Sequence, residues 1–235
     1  METLSDAASS RSNLRASQIL DIQHPEIIAV ARLLREGDAD DHSFLRKAHL
    51  YLVEKVTPIY TVDEWQPASR TLQKKRGSCS QRMACLEAIS RSSNIPTRVR
   101  ALHVQGSFWF PRFRATRWFI PERILLLWPQ FLIGHTWLDF DELHATVEEL
   151  ASTTDRAFTN DSESIFDAVR HLPIDFGGKT CGLSCAQPGQ DLSRFVISDD
   201  GFFDNRDEAL LRFGSFQHTF RGGAFQVVFG NRKSC

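Results

Sequence analysis

The feature that most constrains this chain is Gly77-Ser78-Cys79, which opens a helical pattern that leads, past Asn94-Ile95-Pro96, into an alternating strand. Met83, Leu86 and Ile89, with Ala84, Cys85 and Ala88 beside them, predict a buried helix. Ser78 is its natural N-cap, so Cys79 falls in the first turn. Asn94 and Ile95-Pro96 stop the helix, because the residue before a proline is pushed out of the α region. From Thr97 to Val104, Val99, Ala101 and His103 face one way and Arg98, Arg100 and Leu102 the other. A thiol attacks only as thiolate, and the free N–H groups and dipole of a helix start favour that charge. Gly77 lets another group approach the sulfur. The plainer alternative is a small buried cysteine that packs.

Around this centre the pattern predicts further elements. Helices are expected over Pro25–Arg35 and over Asp41–Val56, the second capped by Asp41. A loop then carries Trp65 and Pro67, residues 106–133 read as irregular and aromatic, and His135–Phe140 alternates as a strand. A short helix near Ser164–His171, a Gly-rich loop over Phe176–Gln190, a helix over Asp204–Phe213 and a terminal strand through Phe225–Phe229 complete the reading. Residues 1–16, rich in Ser and Ala, are expected to be disordered, and 17–235 to form one domain.

Net charge of −1 gives no global attraction to nucleic acid or acidic lipid. The first residues lack the apolar core of a signal peptide, and the run Ile124–Trp128 is far too short to span a bilayer, so no membrane partner is expected. Five cysteines with no disulfide spacing suit a reducing cytoplasm.

A thiol nucleophile needs a base, and the base needs an orienting acid. His135 begins HTWLDF, 56 residues after Cys79, and Asp155 follows 20 residues later. The run RGSCSQRMACLEAISRSSNIPTRVRALHV resembles the core of the transglutaminase-like superfamily, where a Gly-x-Cys opens a helix and an N-I-P-x-R segment leads into a strand. GHTWLDF is similar to that family's next motif, ASTTD to the setting of its third catalytic group, and LPIDFGGKTCGL and FVISDDGFFDNRDEAL to the C-terminal part of its bacterial members. The resemblance covers roughly residues 24–213.

It implies an α+β, papain-like fold with N-terminal helices and the Cys79 helix packed on an antiparallel sheet. It implies a Cys79, His135 and Asp155 triad and acyl transfer from an amide or thioester through an acyl-enzyme. The substrate would be a small molecule, a peptide or a carrier-bound group, and no cofactor is implied. Water as acceptor gives an amidase or peptidase; an amine gives an amide-forming acyltransferase. The Cys79 N–H and Gln73 are candidate oxyanion donors, although Gln73 beside Lys74 and Lys75 also reads as a solvated loop residue. The family carries a Trp and a turn between its His and Asp strands. Here DELHATVEELAST has helical character, which leaves Asp139, Asp141 and Asp161 as rivals to Asp155. Asp139 shares a strand face with His135. The competing class is a non-catalytic domain of this fold acting as a binding scaffold.

Arg112, Arg114 and Arg117, interleaved with rings in SFWFPRFRATRWF, suit a cleft wall better than a nucleic-acid patch. His135, Asp139, Asp141 and His144 fit no metal-ligand spacing, and Cys181 and Cys185 form only a lone C-x₃-C.

Overall fold

The computed structural model describes residues 12–37, 40–183, 186–187, 189–214 and 232–233. Helix α1, Pro25–Arg35, starts with proline at its first position and His24 as cap. Helix α2, Asp41–Lys55, is capped by Asp40, one residue ahead of the expected Asp41, with the Ser43 N–H donating to its carboxylate. Strand β1, Thr57–Pro58, pairs in parallel with β2, Arg76–Gly77. Between them lies α3, Ala68–Lys74, in a stretch read from sequence as loop. Seven residues are too few to display a helical stripe. Helix α4, Cys79–Ser92, begins on a full capping box: Ser78 Oγ accepts from the Gln81 N–H and Gln81 Oε1 accepts from the Ser78 N–H.

A four-stranded antiparallel sheet follows: β3, Thr97–Gln105; β4, Arg123–Ile133; β5, Thr136–Asp139; and β6, Val196–Phe203, in the order β5-β4-β3-β6. Helix α4 packs on this sheet, burying Met83, Leu86 and Ile89 in one core with Val99, Ala101, Leu127 and Phe131. Helices α5, Val147–Thr153, α6, Ile165–Ala168, and α7, Arg206–Phe213, complete the described elements. Mixed helices and an antiparallel sheet fit the α+β expectation.

Four expectations change. Residues 123–133, expected to be irregular, form the longest strand among the described residues; its middle is buried throughout, so it shows no alternation. His135 does not begin a strand: Gly134, with φ +59°, and His135 make the tight turn between β4 and β5. Residues 12–16, expected to be disordered, are docked. Asn13 is buried, its carbonyl accepts from the Thr97 N–H, and the Arg15 carbonyl accepts from Arg91. Alternation in β3 is broken by a register shift, which leaves Ala101 and Leu102 both buried. The terminal strand expected at 225–229 lies outside the described residues.

Buried charges tie helices to α4. The Arg206 guanidinium donates to Glu87 at 2.6 Å and also to Ser80 Oγ and the Leu127 carbonyl, joining α7, α4 and β4. Arg82 makes a two-point pair with Asp167 of α6, at 2.6 and 2.9 Å, and lies over the Phe166 ring.

Candidate functional site

Cys79 is the first residue of α4 and lies half-buried in a cleft of about 200 Å³. One wall is the segment 59–64, tied to the start of α4 by the Ile59 N–H donating to the Gly77 carbonyl. The opposite wall is the excursion from 106 to 122, pinched at its base: a Cβ on Gly106 would come within 1.8 Å of the Pro121 carbonyl oxygen. Only glycine allows that approach. Phe113 and Ile120 from this excursion pack with Tyr60, Val62, Trp109 and Ile124 into an apolar lining. The third side is the turn 160–165. Asn160, in the left-handed region at φ +52°, donates its amide to the Phe108 carbonyl at 2.9 Å. Arg112 donates to the carbonyls of Asn160 and Glu163, stapling two walls together.

Gly77 serves packing rather than access to the sulfur: a Cβ there would meet Thr71 Cγ2 at 2.7 Å. Burial pushes the Cys79 thiol up to about 11; the positive charges of Arg82 and Arg112 and the Phe166 amide oppose this, and the charge of Asp167 adds to it. Desolvation is the largest of these effects, so burial works against the thiolate that a helix start favours. Buried Cys85, donating to the Ala68 carbonyl, is pushed to about 12 by the same cause. Burial also opposes ionisation of Asp167, but hydrogen bonds and charge from Arg82, with a bond from Ser164, hold it below the ordinary range.

The structure does not gather the residues expected to work with Cys79. Ile124, at the start of β4, lines the cleft, whereas His135 follows the other end of that strand. Ile133 lies nine positions along the strand from Ile124, which is about 30 Å at 3.3 Å per residue. His135 is exposed there, three residues past Leu132, whose N–H donates to the carbonyl of Pro96 beyond the end of α4. Asp155 is exposed in the loop after α5, and Gln73 is exposed on α3, bonded to Arg70; neither lines the cleft. Asp139 accepts from Gln130 on the neighbouring strand at 2.6 Å, as a structural acid does, and Asp161 is exposed and bonded to Thr159 and Ser162. Asp141 is buried and accepts from the Trp128 Nε1–H at 3.2 Å, its carboxyl pushed up to about 7 by burial and the neighbouring Asp139 charge.

Sequence reasoning missed Arg82, Asn160 and Ser164. Arg82 carried a signal, being three residues after Cys79 on an otherwise apolar helix face. Among the described residues no group of three or more His, Cys, Asp or Glu side chains is placed to hold a metal, and no helix is long and apolar enough to cross a membrane. Cys185 lies outside the described residues.

The fold and cleft define an α+β domain with a cysteine opening the helix that packs on its sheet. Residues 28–142 match the family model of the transglutaminase-like superfamily, which supports a transglutaminase-like domain over that stretch. Cysteine-based catalysis is the general chemistry of that superfamily. The match includes Cys79 and His135 and ends before Asp155. Neither the curated proteins nor the solved structures yield a match to this chain.

Proposed function

We propose that this transglutaminase-like domain works as a binding domain, taking an apolar ligand into the cleft at Cys79, with the thiol as a neutral part of the floor. The observation that carries this reading is the cleft itself. Its walls are mainly aromatic and aliphatic, with Glu64, Arg112, Asn160 and Ser164 among the polar members, burial disfavours the thiolate, and no histidine lines it among the described residues. Acyl-enzyme chemistry needs a group to take the thiol proton, and His135 and Asp155 lie elsewhere.

A second reading, cysteine-dependent acyl transfer from an amide or thioester, is favoured by one specific observation: Cys79 occupies the first position of a capped helix and opens into a cleft. In that reading the Cys79 sulfur attacks the carbonyl, the substrate's amine or thiol leaves carrying the thiol proton, and water or an amine then takes the acyl group and returns a proton to the sulfur.

Alkylation of Cys79 across pH 5–10 separates the two. With the thiol near 11, about one molecule in ten thousand is ionised at pH 7, and the rate should climb about tenfold per pH unit through pH 10. His135→Ala should leave that profile unchanged. A plateau at neutral pH that disappears in His135→Ala would establish a Cys–His pair and defeat the binding reading.

A further inference from the structure

Residues Arg232 and Lys233 pair with a wall of the cleft. The Tyr60 N–H donates to the Arg232 carbonyl at 3.0 Å, and Ile59 forms an antiparallel bridge with Lys233. Ile59 and Tyr60 both line the Cys79 cleft, and Ile59 also donates to the Gly77 carbonyl at 3.1 Å. A row of three chain segments thus runs Lys233, Ile59, Gly77, with Cys79 two residues beyond. The strand that leads into Ile59, β1, is only two residues long. So short a strand has little stability of its own, and residues 59–60 rely on the pairings made from both sides.

We propose that Arg232 and Lys233 act as a strap that holds the 59–62 wall in place and so controls access to Cys79. The proposal concerns regulation of the same cleft and rests on its being the functional site, but not on whether that site binds or catalyses. Docking of the strap and closure of the wall share the same backbone bonds. Release of one therefore loosens the other, and occupation of the cleft feeds back on the strap by the same coupling.

The test compares the intact chain with a chain ended after Asn231, using iodoacetamide at fixed pH and reading alkylation of each cysteine by peptide mass. Exposed Cys181 is the internal reference. Loss of the strap should speed alkylation of Cys79 about tenfold while leaving Cys181 unchanged, with the melting curve still cooperative. Equal Cys79 rates in two folded chains would overturn the proposal. Should the shortened chain fail to fold, the intact chain still decides. Across a series of low urea concentrations, amide exchange at Tyr60 should follow Cys79 alkylation with a common opening equilibrium, whereas independent dependences would overturn the strap. The slope of rate against pH plays no part here, so the strap and the neutral-thiol reading can fail separately.

Discussion

At the scale of single residues, Cys79 shows two opposing effects on one sulfur. A helix start favours the thiolate in general, and the Arg82 charge does so here, while removal from water favours the thiol and is the larger of the two opposing effects on this sulfur. Asp141 obeys the same rule in a carboxylic acid. Its folded-state value, raised to about 7 from 3.8, means the folded protein holds a proton that the unfolded chain has released. This group therefore contributes stability below pH 3.8, and that contribution is lost as pH rises through 7. Asp141→Asn keeps an oxygen for the Trp128 N–H and removes the buried charge. It should melt higher than the parent at pH 8, by on the order of 2–4 kcal/mol in unfolding free energy, with the gap closing toward pH 4. Thermal unfolding at several pH values checks this, and a variant less stable at pH 8 would show that the carboxylate's bonds outweigh its desolvation.

At the scale of elements, α4 is the piece most legible in the sequence. Its apolar stripe, its serine cap and its proline stop are all local signals, and all three hold. The position of α6 against it was not legible, because that depends on Arg82 meeting Asp167 across 85 residues. Arg82 is fully buried and its Nε has no partner among the described residues. Removing one member of a buried pair leaves the other charge uncompensated. Arg82→Ala should therefore destabilise the fold by about 3–5 kcal/mol, while the double change Arg82→Met with Asp167→Leu should recover much of that loss. Urea unfolding of the two variants provides the comparison. An Arg82→Ala protein within 1 kcal/mol of the parent, on the order of an exposed pair's worth, would mean the pair contributes little.

At the scale of the whole molecule, pH acts through groups from separate elements. His49 of α2 and His144 beyond β5 are joined Nδ1 to Nε2 at 2.9 Å, and His49 Nε2 meets the Phe166 carbonyl at 2.6 Å. A carbonyl can only accept, so His49 carries its proton on Nε2 and receives one from His144. Burial lowers His49 to about 3, the Phe166 carbonyl opposing and the His144 and Arg82 charges adding. Burial lowers His144 to about 4, with Arg46, Arg170 and His42 adding. Because both folded values lie below 6.5, their contribution is present above pH 6.5 and is lost as pH falls toward 4. Asp141 works in the opposite direction over the same range. Stability should decline from pH 6.5 to 4, and decline more steeply in Asp141→Asn, where the opposing group is gone. Equal slopes for the two proteins would refute this opposition.

Some of this protein was fixed locally. Ser78, Gln81, Asn94 and Pro96 dictate where α4 starts and stops, and with it the place of Cys79 at a helix start, because caps and breakers act within a few residues. The run through NIPTR carried enough of the pattern for the transglutaminase-like domain to be legible. What the tertiary structure alone decided is which residues share the cleft with Cys79. HTWLDF alternates equally well whether His135 starts a strand or closes a turn. The choice was made by β4, whose residues RILLLWPQFLI are buried in the middle by packing on both faces and so carry no period-two signal. Pro129 reinforced the irregular reading, yet it is tolerated because the β5 ladder ends at Gln130, leaving the strand a paired neighbour on one side only at that position. Once β4 forms, the turn at Gly134 must lie a full strand length from Ile124. Chain geometry then separates His135 from Cys79, a distance that no count of residues between them could reveal.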